Sequence, residues 1–350
     1  MRFLHTADLH LGRSFPYERE DDRIIGRKDR FRTFERVLKL GIQEQVDYLF
    51  LVGDIFEQEK VSSAEVDYVL NCLAHAPFTT LLLLGNHDYK LYDDVAARLP
   101  ENVFLFSNEI MDRYEDRDRG VVFYGTSWTR ASYNKILQFE GTIGDEGLHR
   151  VLLHHGNWSG GDGYFPVDAN LLHAFDYVAL GHVHKPIMYE NKLQMCGTPE
   201  PLDRTDRGKL GVVLGELDEV LTTRYVPVAA RMLKQKNYLR RDGADDEAIV
   251  ADAKALGHSK DFIYSFHLSG AYSGILDREL RGIFDEKGLL YELNWEKDLP
   301  KIIERMEREH QGDLLGAFLA RAKAYDGDEE TRLALCDLGL RALLGEDYDS

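Results

Sequence analysis

Cysteine is scarce: three residues in a chain of 350, at positions 72, 196 and 336. That number and spacing exclude a disulfide framework and a thiolate-ligated zinc site; core positions suit these cysteines better than a redox role. Proline is also sparse, at nine, and there is neither a low-complexity tract nor an internal repeat. A disordered or linker-rich chain is therefore excluded. No apolar run reaches the roughly 18 residues that a membrane span needs. The chain opens on Arg2-Phe3-Leu4-His5, a strand-like start with no leader before it, so a reducing cytoplasm and no membrane attachment are expected. Positive charge is short too: 43 Lys and Arg against 61 Asp and Glu leave a net −18. This rules out a protein that coats nucleic acid through bulk positive charge, but not an enzyme with a local basic groove.

The rest of the composition, 44% hydrophobic and 30% charged, is that of a globular protein able to bury a sizeable core. Short apolar segments at 3–6, 48–52, 80–84, 121–124, 151–154, 177–180 and 210–214 are mostly bounded by Gly, Asp or Asn and read as buried strands. Between them Phe31, Phe34, Leu38 and Ile42 recur at helical spacing. A second helix is predicted over 62–74, with Ser62 or Ser63 as cap and Glu65 as capping-box partner. Strands alternating with helices predict a layered α/β domain over 1–225. Beyond it, a helix at 244–256 and an alternating strand at 262–268 predict a small α+β capping unit over 226–298. From 299 to 350 the pattern is helical, with Leu314, Leu315, Phe318 and Leu319 in one stripe and Leu333, Cys336, Leu340, Leu343 and Leu344 in another. The Asp326-Gly327-Asp328 break separates them, and 345–350 is expected to fray.

The informative residues sit where strands end. Asp8-Leu9-His10 follows the first strand, Gly53-Asp54 the second, and Gly85-Asn86-His87-Asp88 the third. The adjacent His154 and His155 close the strand at 151, and Gly181-His182-Val183-His184 the next. Ligand sites of open α/β sheets form at the carboxyl ends of strands, so all five could meet in one crevice. In extended chain, side chains at i and i+2 point the same way, so Asp8 can share a side with His10, and His182 with His184. A mixed oxygen and nitrogen set without thiolate suits Mn²⁺, Fe²⁺ or Zn²⁺, whereas Ca²⁺ prefers oxygen alone. So many donors exceed the needs of one open catalytic ion and suit a pair able to clamp both oxygens of a phosphoryl displacement. Each element alone is weak; their order, each after an apolar strand, is not.

The order D-x-H, GD, GNHD, H, GHxH resembles the calcineurin-like metallophosphoesterase superfamily. Phe3-Leu4-His5-Thr6-Ala7-Asp8-Leu9-His10-Leu11-Gly12, Gly53-Asp54-Ile55-Phe56 and Ala179-Leu180-Gly181-His182-Val183-His184-Lys185 are similar to SbcD-type DNA repair nucleases. Gly197-Thr198-Pro199-Glu200-Pro201-Leu202 is similar to a signature of the YhaO-like bacterial branch. The resemblance covers roughly residues 1–220. It implies a four-layer sandwich of two mixed sheets flanked by helices, and a DNA phosphodiesterase (exonuclease and endonuclease) acting in double-strand break repair. It implies two divalent ions, Mn²⁺ first with Fe²⁺, Mg²⁺ or Zn²⁺ as alternatives. Asp8, His10 and His184 would hold one, Asn86, His155 and His182 the other, and Asp54 would bridge them. His155 rather than His154 matches the family's ligand position. His87 would protonate the leaving 3′ oxygen or stabilise its charge. The resemblance also implies DNA and an SbcC-like coiled-coil ATPase as partners, the latter docking on a C-terminal helical stripe. A homodimer stays open. Many relatives have Asp three residues after the GD aspartate; here it is Glu57.

Residues 13–39 carry Arg13, Arg19, Arg23, Arg27, Lys28, Arg30, Arg32, Arg36 and Lys39, interleaved with acids. They form either a phosphate-contacting rim, with Arg13 the first candidate because it follows His10, or a solvated helix face. The glycine-rich stretch 157–164 reads as a substrate loop or a plain connection. Arg204, Arg207 and Lys209 read as solvated before phosphate-binding, and His5 and Asp88 as braces of the site. Two alternatives to a nuclease remain: a small-substrate phosphodiesterase or phosphatase of the same superfamily, and a scaffold tethering an ATPase to DNA. The first lacks support from a GD-x-V-D-R-G pattern; the second has no use for a full ligand set. Even as a nuclease, the acidic chain alone should hold DNA weakly.

Overall fold

The computed structural model describes residues 1–350 except 18, 109, 131–144, 146, 158–164, 168–172, 241–244, 271–272, 297–298 and 345–350. The stretch 157–164 therefore lies almost wholly outside the described residues. Two compact units follow each other, Met1–Leu233 and Lys234–Ser350.

In the first unit the order is β1 (Arg2–Thr6), α1 (Glu20–Gln43), β2 (Tyr48–Val52), α2 (Ser63–Ala74), β3 (Thr79–Leu83), α3 (Tyr92–Ala96), β4 (Val103–Leu105), β5 (Asp112–Asp116), β6 (Val121–Gly125), β7 (His149–His155), β8 (Tyr177–Gly181), β9 (Ile187–Tyr189), β10 (Leu193–Met195), β11 (Gly211–Leu217) and β12 (Leu221–Pro227). They build two mixed six-stranded sheets, β12-β11-β1-β2-β3-β4 and β5-β6-β7-β8-β10-β9. Parallel pairs run β1–β2–β3–β4 and β6–β7–β8–β10, with antiparallel strands at the edges.

The alternation of side chains across a strand sorts the core into layers. Tyr48, Phe50 and Val52 of β2 and Leu81 and Leu83 of β3 face between the sheets, where they meet Val151 and Leu153 of β7 and Tyr177 and Ala179 of β8. Leu49, Leu51 and Leu82 face outward onto Phe34, Val37 and Leu38 of α1 and Val66, Val69, Leu70 and Leu73 of α2. Strands buried on both faces are continuous apolar runs, so the sequence shows them. It does not show β5, whose residues Asp-Arg-Tyr-Glu-Asp look like surface loop; an edge strand paired only to β6 needs no apolar run. The box at the start of α2 forms as its residues predict: Ser62 Oγ accepts from Glu65 N–H (3.3 Å), and Glu65 Oε2 accepts from Ser62 N–H (2.8 Å).

The second unit holds a three-stranded sheet of β13 (Met232–Arg240), β14 (Phe262–Gly270) and β15 (Tyr291–Glu296), packed with α4 (Asp246–Ala255) and α5 (Gly274–Glu286). Helices α6 (Leu299–Glu309), α7 (Leu314–Lys323) and α8 (Glu329–Leu344) share a cluster in which Leu315 and Leu319 meet Cys336 and Leu340, so the two predicted stripes pack on each other. Among the described residues no helix is long and apolar enough to cross a membrane.

Candidate metal centre

Beyond the ends of β1, β2 and β3 the loops keep pairing as if the sheet continued. Asp8 N–H donates to Gly53 O (3.1 Å), His10 N–H to Asp54 O (2.9 Å) and Leu11 N–H to Ile55 O (2.8 Å). Asp88 closes the third loop onto the second: its carboxylate accepts from Gly85 N–H (2.6 Å), Ile55 N–H (2.6 Å) and Phe56 N–H (3.1 Å). These bonds hold Asp8, His10 and Asp54 at φ of 53°, 44° and 53°, and His182 sits at 99°. Side-chain-bearing residues rarely occupy this left-handed region, and such strain clusters at functional sites. Asp8 and His10 do share the crevice, but through these left-handed turns rather than through the extended chain that the i, i+2 spacing suggested.

The glycines of GD and GN are there for room. A Cβ at Gly53, which has φ +80°, would run into the His155 ring, and one at Gly85 would lie 2.7 Å from that ring and against Asp54 Oδ1.

Three groups of potential ligand atoms, each within 4.8 Å of one another, emerge: Asp8 with His10 and His184, Asp54 with His155 and His182, and His10 with Glu57 and His87. Asp54 lies between the first two. Its Oδ2 is 3.2 Å from His155 Nε2 and 3.8 Å from His10 Nε2, and its Oδ1 accepts from His87 N–H at 2.8 Å. Asn86 Oδ1 joins at 3.1 Å from His155 Nε2. Asp8 accepts from the His182 N–H (3.0 Å), and Thr198 Oγ1 donates to the Asp8 carbonyl (3.0 Å).

These residues fit a cation. His10 is fully buried, yet among the described residues neither ring nitrogen has a hydrogen-bond partner. A buried unpaired imidazole is costly unless something else uses its lone pair. Burial holds the ring below its usual basicity. Burial, with the His155 charge beside it, pushes His182 down to about 3. Burial, aided by His10, pushes His184 down to about 4. These rings are neutral at physiological pH, the state that binds metal. His155 differs. Burial opposes its charge, but the Asp54 carboxylate holds it up at about 9, while Asp54 is driven low in return. Its Nδ1–H donates to Val52 O (2.9 Å), which leaves Nε2, aimed at Asp54 and Asn86, to exchange its proton for a cation. Burial raises Asp8 to about 7.

The calcineurin-like phosphoesterase profile matches residues 1–186, more than half of the chain. The chain belongs to that family. This phosphoesterase is 26% identical over 201 residues to the uncharacterized metallophosphoesterase YhaO of Bacillus subtilis, a match covering 53% of this chain and 49% of that one. It is 24% identical over 229 residues to the SbcD component of nuclease SbcCD from Staphylococcus epidermidis, covering 55% and 59%. A shorter match, 34% over 96 residues, is to the DNA double-strand break repair protein Mre11 of Methanosarcina mazei, covering 26% and 14%. The chain spans less than two thirds of the length of each of these relatives.

The structure brings Asp8, His10, Asp54, Asn86, His87, His155, His182 and His184 of the phosphoesterase together. His154, pointing away, bonds Phe165 O at 2.7 Å. His5 ties the sheets: Nε2–H donates to Leu180 O (3.1 Å) and Nδ1 accepts from Tyr177 O–H (2.9 Å). Arg13 stands at the rim, its Nη1 3.9 Å from Glu57 Oε2. Most of the other basic residues in and just before α1 are engaged internally. Arg27 pairs with Glu65 (2.6 Å), Arg32 with Asp29 (2.7 Å) and Arg19 with Asp22 (2.7 Å), and Arg36 bonds Val228 O at 3.3 Å. Arg204, Arg207 and Lys209 are exposed.

Two residues at the centre were given no role by the sequence: Glu57, noted only as replacing an Asp common in relatives, and Trp128. Glu57 accepts from His87 Nδ1–H (3.1 Å) and lies 3.5 Å from His10 Nδ1. Burial works against its charge, but the His10 ring beside it and the bond from His87 outweigh this and hold its carboxyl low, while the Glu57 bond holds His87 up. Trp128, wholly buried, donates from Nε1 to His155 O (2.7 Å) and stacks near His182. Its place just past β6 could have suggested a role, since β6 lies beside the ligand-bearing β7.

Proposed function

We propose that this phosphoesterase is a metal-dependent DNA phosphodiesterase of the nuclease type, acting at DNA ends in double-strand break repair. The observation that carries the reading is the convergence of ligands from five strand ends around Asp54, with His87 and Arg13 beside them. Support for DNA as substrate comes from the names of the relatives, a nuclease component and a break repair protein. Asp8, His10 and His184 would hold one divalent ion and Asn86, His155 and His182 the other, with Asp54 between them. Mn²⁺ is the first choice for this mixed set, with Fe²⁺, Mg²⁺ or Zn²⁺ as alternatives. Such a pair, when bound, supplies charge for the developing phosphorane oxygens and a water acidic enough to act at neutral pH.

The chain's own groups do the rest. Val52 O fixes the His155 tautomer. His87 Nδ1 is occupied by Glu57, so Nε2 delivers the proton to the leaving 3′ oxygen. Arg13 orients the phosphate next to the centre. An SbcC-like ATPase is the partner that would hold DNA for so acidic a chain. The test is degradation of linear duplex DNA with Mn²⁺. Cleavage restricted to cyclic nucleotides or phosphoproteins refutes the nuclease reading, and metal-loaded protein with no hydrolase activity refutes the enzyme.

A further inference from the structure

Beside the metal centre, at the start of α1, lies an open pocket of about 640 Å³. Four cations line it: Arg13, Arg23, Arg27 and Lys60. Arg27 is spent on Glu65 and on the carbonyl of Lys60. The others keep donors in hand. Arg23 uses only Nε, toward Tyr17 O at 2.9 Å, and among the described residues Lys60 Nζ forms no hydrogen bond. Arg13 makes only its 3.9 Å approach to Glu57, which lies 3.5 Å from His10, so Arg13 links the pocket's lining to the edge of the metal centre. Two acids share the lining, Glu20 and Asp203; Asp203 Oδ1 already accepts from Thr205 N–H and O–H, both at 2.7 Å. Ile24, 51% exposed, adds an apolar surface beside the cations. A volume of this size suits a small-molecule group. Uncommitted guanidinium and ammonium donors over an apolar surface suit a sugar phosphate.

We infer that this pocket is a second phosphate subsite, which holds a backbone phosphate of the substrate strand next to the one cleaved, through Arg23 and Lys60. The inference rests on the polynucleotide reading above and adds to it how the enzyme tells a strand from an isolated phosphodiester. An isolated diester needs only the metal centre; a strand needs the pocket as well.

The experiment compares the wild type with the Arg23→Ala/Lys60→Ala variant on two substrates, bis(p-nitrophenyl) phosphate, which has no neighbouring phosphate, and a single-stranded oligodeoxynucleotide. The expected result is an unchanged rate on the diester and about a tenfold loss of kcat/KM on the oligonucleotide, mostly in KM, with the logarithmic salt slope shallower by roughly one. Equal loss on both substrates, or none on either, overturns the inference. Binding of a labelled oligonucleotide, read by fluorescence anisotropy, serves even where cleavage is absent: weaker binding by the variant supports the subsite, and equal binding overturns it. Inorganic phosphate that binds the wild type and not the variant, with oligonucleotide binding unchanged, marks a free-anion site and also overturns it. Wild-type protein that cleaves the diester and neither binds nor cleaves the oligonucleotide sinks the polynucleotide reading itself.

Discussion

Arg30 donates from Nη1 to the carbonyl of Leu9 at 3.1 Å, deep in the protein at 1% exposure. Leu9 stands between Asp8 and His10, so a side chain of α1 grips one of the two peptide carbonyls that join these candidate ligands, and Thr198 holds the other. Nη2 bonds Pro201 O at the same time, joining the loop that carries Thr198 to this grip. Arg30→Met, similar in volume, should leave both carbonyls unpaired. Mn²⁺ affinity is expected to fall about tenfold, the lower end for partners that orient ligands. Titration calorimetry would measure it, with Arg30→Lys falling between; undiminished affinity would show the grip to be unimportant.

Gly85→Ala puts a methyl where Asp54 and the His155 ring already are. Bound metal per chain, by mass spectrometry, should drop by at least one ion while far-ultraviolet circular dichroism keeps its native shape. A variant with full metal content would mean that the two side chains yield more easily than the packing suggests.

Among the described residues the side chain of His87 makes one hydrogen bond, to Glu57, while its backbone bonds to Asp54 and Gln58 do not depend on the ring. His87→Asn should keep metal content and lose roughly 10²- to 10⁴-fold in cleavage rate, the usual range for removing a general acid. Cleavage within a factor of two of wild type would remove His87 from the mechanism.

Metal uptake should release protons. Without metal, His155 is protonated below about 9 and Asp8 below about 7. Both must be unprotonated to bind. From pH 7 to 9 the His155 proton alone has to leave, so affinity should rise about tenfold per pH unit; below pH 7 the Asp8 proton steepens the slope toward a hundredfold. The gain ends above pH 9. Calorimetry in buffers of different ionisation enthalpy counts these protons, and an affinity flat from pH 6 to 9 would contradict the pairing of His155 with Asp54.

Ser62→Ala removes the side-chain oxygen that caps α2 and touches no candidate ligand. Denaturant unfolding should report a loss of about 1 kcal/mol, with diester hydrolysis unchanged.

The sequence by itself determined the architecture of the first unit and the composition of its centre. Strands buried on both faces must be apolar throughout, so β2, β3, β7 and β8 are visible as runs, and the polar residues that end them stand out by contrast. What escaped was decided by contacts distant in sequence. The edge strand β5 owes its form to pairing with β6, and nothing local reports it. The basic residues of α1 look alike in one dimension, yet Arg30 is buried against Leu9 and Pro201, Arg27 is spent on Glu65, and Arg23 keeps free donors on an open pocket. Glu57 shows in the sequence only as a replacement for a relative's Asp; that it sits between His10 and His87 is decided by folding. Which residues carry ligand chemistry is a matter of side-chain type and local period. Which charge is buried, paired or left for a substrate depends on the neighbour that packing brings, and only the tertiary structure supplies that neighbour.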